Sequence, residues 1–257
     1  MTNPLFDIEG RKAIATGATR GLGWGMAEGL MESGAQVVIW GTSERVNTVA
    51  EEFRGRGFAC QGVVADLSNR DSLNAAFAQS LALLGGKIDI LVNCAGIQRR
   101  HPSAEFPMSD WDAVLEVNLT APFELCQLAG REMLKEGYGK IINIASMQSF
   151  FGGFTIPAYA SAKGGIALLT KALCNEWAGQ GINVNAIAPG YMATEMNTAL
   201  LDPANPRYKE ITDRIPAHRW GGAKGEDMKG TCIFLASHAS DYLNGAVIPV
   251  DGGYASK

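Results

Sequence analysis

The stretch KAIATGATRGLG, residues 12–23, joins a short apolar run to a turn that carries Gly17, Gly21 and Gly23. A strand running straight into glycines can bend sharply and bring its backbone close to a diphosphate, and a helix starting near Leu22 would aim its N-terminal N–H groups at the same point. The pattern is neither G-x-G-x-x-G nor a G-x-x-x-x-G-K-[ST] loop, and the second occurs nowhere in the chain. A plain tight turn would satisfy the same letters. Position favours the anion cradle, because the turn follows the first strand of the chain.

Outward from this turn, apolar runs recur at 12–16, 36–40, 59–65, 88–93, 140–146, 182–188 and 246–250. Between the early ones, residues 22–33, 43–55 and 71–84 carry Ala, Leu, Glu and Gln at helical spacing. That alternation predicts an α/β fold, a doubly wound parallel sheet of about seven strands, and the unbroken apolar runs fit strands covered on both faces. Ser109 with Asp112 predicts a capping box that opens a helix at SDWDAVLEVN. Residues 190–222, rich in Pro, Met, Asn and charge, break the rhythm and are read as a substrate loop within one domain spanning 1–257.

The 257 residues are 47% hydrophobic and 19% charged, enough for one large core. A net charge of -4 provides no electrostatic footprint for nucleic acid or an anionic membrane, and neither partner is expected. The five cysteines, Cys60, Cys94, Cys126, Cys174 and Cys232, are scattered without a C-x-x-C pair, which argues against a disulfide framework or a zinc site and suits a reducing cytoplasm. His101, His218 and His238 lack ligand-like spacing, so no metal is expected. The start MTNPLFDIEGRK has no apolar signal core and no apolar run reaches the roughly 18 residues of a membrane span, so the expectation is a soluble, unexported protein.

AYASAKGG, residues 158–165, sets Tyr159 and Lys163 four residues apart, on one face if helical. A phenol has an unperturbed pKa of about 10, and a cation about 4 Å away at an effective dielectric of about 20 supplies roughly 4 kcal/mol, enough to bring it near neutrality. Taken alone, the pair reads as an ordinary helix face, because a lysine four residues after one of six tyrosines is unremarkable.

TGATRGLG, NCAG at 93–96, Asn118, Ser146, Tyr159, Lys163 and APG at 188–190 together resemble the short-chain dehydrogenase/reductase family in order and spacing, over essentially the whole chain. Cys94 departs from the pattern, where asparagine is usual. The resemblance implies a single Rossmann-type domain, a nicotinamide coenzyme, hydride transfer at a secondary alcohol carbon, and commonly a homotetramer. Its main contact would pair helices at about 118–136 and 159–179, with AVIPV (246–250) near a second contact. By the same resemblance Tyr159 exchanges the proton on the substrate oxygen, Lys163 lowers its pKa and holds the nicotinamide ribose, Ser146 holds the reacting oxygen, and Asn118 anchors a proton-relaying water. The coenzyme would meet Gly17, Thr19, Arg20, Gly21, Leu22 and Gly23 in the turn, Thr42 and Ser43 after the second strand, and Asp66 and Leu67 after the third. Asn93, Ala95, Gly96, Pro189, Gly190, Met192 and Thr194 complete that set, with Asn93 read chiefly as a strand brace and Asp66 also as an N-cap for the next helix.

Gly41 stands where the family's NAD users often carry Asp, and Arg20, Thr42, Ser43 and Arg45 are placed to receive a phosphate, so the expectation for NAD(P)(H) leans to NADP(H). GIQRRHP (96–102), NIASMQS (143–149), APGYMATEM (188–196) and IPAHRWG (215–221) resemble the gluconate 5-dehydrogenase and 2-deoxygluconate 3-dehydrogenase subgroup, which acts on sugar acids. A sugar-acid carboxylate in a closing cleft needs a cation, and Arg99, Arg100 and Arg219 are the candidates, with His101, Gln148 and Tyr191 as hydroxyl partners beside Ser146. Two alternatives stay open at this point: a 3-oxoacyl carrier-protein reductase, and a nucleotide-sensing interaction protein on the same fold.

Overall fold

The computed structural model describes residues 3–257. Seven parallel strands form one sheet in the order β3-β2-β1-β4-β5-β6-β7. They are β1 (Lys12–Ala15), β2 (Gln36–Gly41), β3 (Cys60–Val64), β4 (Ile90–Asn93), β5 (Gly139–Ile144), β6 (Ile182–Pro189) and β7 (Val247–Val250). Alternate residues of each strand serve opposite layers. Ala13, Ala15, Val37 and Ile39 face one core, shared with α1 (Gly21–Glu32), α2 (Arg45–Gly55) and α8 (Glu226–Ala236). Ile14, Val38, Trp40 and Leu91 face the other, shared with α3 (Arg70–Leu83), α5 (Ala121–Glu136) and α6 (Pro157–Trp177). Both faces of these strands are therefore dry, which is why the sequence showed apolar runs rather than alternation.

The strand order reverses between β1 and β4, and in a sheet of this kind a crevice opens at the carboxyl ends of those two strands. The glycine turn, the 93–96 segment, Ser146 and the Pro189–Gly190 corner all leave carboxyl ends of β1, β4, β5 and β6. The capping box expected at Ser109 does not form. The helix α4 (Met108–Leu115) starts earlier, with Pro107 in extended conformation as its cap, and the N–H groups of Asp110 and Trp111 donate to the Pro107 carbonyl. A proline just before the first turn sets the entry, and Ser109 falls inside the helix.

The excursion after β6 is ordered rather than bare loop. Met192 pairs with Gly221 to close its two ends, and α7 (Pro206–Arg214) lies within it. Ile211 and Ile215 pack with Met147, the residue after Ser146, and with Tyr254, while Tyr191, Leu200 and Trp220 border the cluster. This small apolar cluster seats the excursion over the carboxyl end of β5. Among the described residues no helix is long and apolar enough to cross a membrane.

Candidate active site

Gly17 adopts φ 63°, and a Cβ there would lie 2.7 Å from the Ala95 Cα, so any larger residue would drive β1's turn away from the 93–96 segment. Gly23 is equally confined, with the Gly17 carbonyl oxygen 2.4 Å from where its Cβ would be. Thr16, not singled out from sequence, locks the two segments together: its Oγ1 accepts from the N–H groups of Cys94 and Ala95, both at 3.1 Å. No side chain caps α1 at Arg20, which leaves the first-turn N–H groups at Gly21, Leu22 and Gly23 for an outside acceptor. These uncapped donors beside a backbone that tolerates no side chain fit the diphosphate of a dinucleotide. Thr194, from the excursion, approaches the same turn within 3.6 Å of a Cβ built on Gly21.

Other residues of the expected coenzyme set fall into distinct places. Thr42 and Ser43 are exposed at the β2–α2 junction, and a Cβ on Gly41 would meet the Thr19 methyl at 2.6 Å, so an acid at position 41 could not enter without moving Thr19. Arg20 is turned toward the excursion, where Nη1 donates to Glu195 Oε2 at 2.5 Å. Asp66 does not cap α3. Asn69 does, accepting from the Ser72 N–H at 3.0 Å, while Asp66 Oδ1 accepts from the Ser68 hydroxyl and N–H at 2.7 and 2.9 Å, contacts that hold its carboxyl below the usual range. Leu67 is buried in the core, as is Met192. Gly190 donates to the Val250 carbonyl at 3.0 Å, fixing the corner after Pro189. Asn93 points away from the turn: its Nδ2 donates to Asn143 Oδ1 at 3.0 Å, and Asn143 in turn donates to Thr170 Oγ1 at 3.1 Å, a brace across β4, β5 and α6.

Ser146 caps a single tight turn, Met147–Ser149, after β5. Its Oγ accepts from the Gln148 N–H at 3.2 Å, and its own N–H donates to Ser149 Oγ at 3.3 Å. Ser149 also donates to the Lys163 carbonyl at 2.6 Å, which ties the serine turn to α6. Tyr159 lies in the first turn of α6, and Lys163 one turn on, with Nζ 5.7 Å from the tyrosine ring centre. Burial pushes the Tyr159 phenol up, while contact with the Ser146 side chain and the charge of Arg100 pull it down. Lys163 is buried, its Nζ donates to the Ile144 carbonyl at 2.6 Å, and burial brings its pKa down to about 8. The charge expected to lower the phenol is thus held by a backbone oxygen, and the phenol stays above its ordinary value despite Ser146 and Arg100.

Asn118 is fully buried in a wide π turn, Glu116–Thr120, between α4 and α5. Its side chain embraces the backbone of one residue, accepting from the Ile97 N–H and donating to the Ile97 carbonyl, each at 2.8 Å. Cys94 sits close enough to feel the Lys163 charge, yet burial pushes its thiol up to about 12.

Of the three arginines proposed for substrate, two are occupied. Arg219 donates to both carboxylate oxygens of Asp227 at 2.6 and 2.9 Å and holds that carboxyl down to about 2. Arg99 lies 3.5 Å from Asp110, whose other oxygen is 2.6 Å from His101 Nε2. Arg100 pairs with no acid among the described residues; partial burial weakens its hold on its proton, and Arg207, Tyr191 and Tyr159 are the groups whose charge it feels. Arg207, on the first turn of α7, was invisible from sequence because its proximity is tertiary. Tyr191 packs edge-on to Trp220 and Tyr254, at 5.3 and 5.1 Å between ring centres. Gln148 Oε1 is buried without a hydrogen-bond donor. A recess of about 160 Å³ lies beside Tyr191, Met192 and Gly252, whereas a larger one of about 370 Å³, lined by Arg11, Lys87 and Asp89, sits at the amino ends of β1 and β4, away from these groups. Among the described residues no cluster could hold a metal ion.

A family model described as enoyl-(acyl carrier protein) reductase matches residues 17–255. The 2-dehydro-3-deoxy-D-gluconate 5-dehydrogenase of Dickeya dadantii is 46% identical over 98% of both chains, and the 5-keto-D-gluconate 5-reductase of Escherichia coli K12 is 41% identical over 98% of both. A crystal structure of a gluconate 5-dehydrogenase from Burkholderia cenocepacia, in complex with NADP and tartrate, superposes with a TM-score of 0.94 at 44% identity, covering 99% of this chain and 98% of that one. With its glycine turn at a strand-order reversal, its Ser146, Tyr159 and Lys163 at one strand end, and full-length likeness to these dehydrogenases, the chain belongs to the short-chain dehydrogenase/reductase family of NAD(P)-dependent oxidoreductases.

Proposed function

We propose that the protein transfers hydride between a nicotinamide coenzyme, NADP(H) by preference, and a secondary alcohol or ketone carbon of a sugar acid of the gluconate or deoxygluconate type. The observation that carries the substrate class is Arg100, a guanidinium without an acid partner that reaches the electrostatic field of Tyr159 and Tyr191. A carboxylate entering a closing cleft needs such a cation, since an unpaired charge out of water costs several kcal/mol. The sugar-acid names of full-length relatives support the same class, and the absence of an acid at Gly41 supports NADP. The description of the matching family model keeps an acyl-carrier substrate as the competing reading, but a chain of net charge -4 offers an acidic carrier protein little attraction.

In this reading the bound coenzyme supplies the hydride donor or acceptor. The chain's own residues hold and protonate the substrate oxygen. Tyr159, half-buried and kept protonated, is placed to give that oxygen a proton, and Ser146, oriented by its turn, hydrogen-bonds the same atom. Lys163, bonded here to the Ile144 carbonyl, would hold the coenzyme ribose, and Asn118 would anchor a proton-relaying water beside it. One domain spans residues 1–257, with the excursion 190–222 as substrate lid. A cytoplasmic setting suits five cysteines that are all free.

Arg100→Ala should raise KM for the keto sugar acid about tenfold and leave coenzyme affinity intact, whereas Arg99→Ala and Arg219→Ala should change KM little. Steady-state kinetics on the three variants decides this, and a preference for uncharged polyols over their acids would overturn the substrate class. The protein is further expected to sediment as a homotetramer at micromolar concentration, with Phe123 of α5 and Leu168 of α6, 45% and 69% exposed in the single chain, buried in the contact. A monomer in analytical ultracentrifugation would refute that.

A further inference from the structure

The Arg20–Glu195 pair joins the coenzyme turn to the beginning of the substrate excursion, 175 residues away in sequence. Both side chains are largely exposed, 63% and 68%, so the pair is weak, screened by salt and readily exchanged. On its other side the same turn presses on the end of β2: the Ala18 N–H donates to the Trp40 carbonyl at 3.1 Å, and Thr19 abuts Gly41. The end of β2 is where the adenosine ribose of a dinucleotide lies in a sheet of this kind. Arg20 therefore stands between two anion positions, a carboxylate on the excursion and a 2'-phosphate at the β2–α2 junction. Position 41, where an acid would repel that phosphate directly, is Gly, and a larger residue there would have to displace the Thr19 methyl.

We infer that Glu195 is a coenzyme-specificity residue, competing with the 2'-phosphate of NADP(H) for Arg20. The inference rests on the reading that Arg20 meets that phosphate. NADP(H) must draw Arg20 off Glu195; NAD(H), without the 2'-phosphate, need not, and shares only the repulsion between the Glu195 carboxylate and the diphosphate common to both coenzymes. Neutralising Glu195 therefore favours NADP(H) over NAD(H). By reciprocity, whatever displaces Arg20 from Glu195 also loosens the attachment of the excursion to the turn, and coenzyme choice and lid position become linked.

The test is equilibrium titration of NADPH and NADH without substrate, followed by reduced-nicotinamide fluorescence, on the wild type, Glu195→Gln, Arg20→Gln and the double variant. Glu195→Gln should lower the Kd for NADPH about three- to fivefold at low salt, less at high salt, and change the Kd for NADH by clearly less. Arg20→Gln should weaken NADPH about tenfold and shrink the benefit of the second substitution in the double variant. If Arg20→Gln weakens NADPH but Glu195→Gln changes nothing, the competition is wrong and the coenzyme reading stands. If Arg20→Gln leaves both coenzymes unaffected, the phosphate is not at Arg20 and both fall. Equal tightening of NADPH and NADH by Glu195→Gln would also overturn the inference.

Discussion

Tyr159→Phe is expected to lower kcat at least about a hundredfold while leaving the Kd for the coenzyme within about twofold of the wild type. The ring of Phe fills the same half-buried space at the start of α6, so only the proton is lost. General acid–base catalysis contributes about 10² to 10⁴ in rate, and the Ser146 hydroxyl beside the phenol is too weak an acid to replace it. Direction follows from the environment. Burial pushes the phenol above its ordinary value of 10, so it stays an acid through neutral pH, and ketone reduction should hold level there and fall only as pH rises past 10; alcohol oxidation should rise over the same window. Near-normal turnover in the variant, measured under saturating coenzyme, would remove Tyr159 from the chemistry.

Lys163→Met should cut both turnover and coenzyme affinity, each by at least about tenfold, because one ammonium serves the ribose and the proton path. Its effect on stability should run the other way. The fall of the Lys163 pKa from 10.5 to about 8 corresponds to roughly 3 kcal/mol of cost on the charged form in the folded protein. Below pH 8 that cost is present in full, partly offset by the bond to Ile144. Between pH 8 and 10.5 the folded protein sheds the proton while the unfolded chain keeps it, so wild-type stability gains from this group as pH rises; above 10.5 the cost is gone. Methionine never bears it. The coenzyme-free variant should therefore melt at or above the wild-type Tm at pH 7, with that lead shrinking through pH 10.5. A lead that grows with pH would contradict the account, as would loss of turnover with coenzyme Kd untouched.

The parts of this fold that could be read from sequence were those governed by local period and burial. The seven apolar runs fall on the seven strands, densest on β1, β2, β4, β5 and β6, which are covered on both faces, while the edge strands β3 and β7 keep exposed positions; the glycine turn is legible because Gly17 has no room for a Cβ and takes a left-handed φ of 63°. The helix entry at Ser109 was misplaced because a proline two residues upstream outranked a serine–acid pair. Asp66 and Asn69 compete for the same capping role over three residues, and sequence alone does not say which one the chain's entry angle favours. At the site, Tyr159, Lys163 and Ser146 could be placed together by spacing and family likeness. Thr16, Ser149, Arg207 and Glu195 could not, since each acts through a partner more than ten residues away. Arg219 and Arg99 looked available for the same reason in reverse: Asp227 and Asp110 claim them only once the chain is folded.

The central claim, hydride transfer on a sugar-acid carbon, is tested most directly by following nicotinamide absorbance with NADPH and NADH against a panel of 5-keto and 3-deoxy-keto hexonates, the matching polyols and ketoses, and 3-oxoacyl thioesters. The account predicts coenzyme oxidation with one or more keto hexonates at a kcat/KM at least about tenfold above any uncharged analogue, with NADPH preferred. Turnover of acyl thioesters with none of any keto hexonate would contradict it.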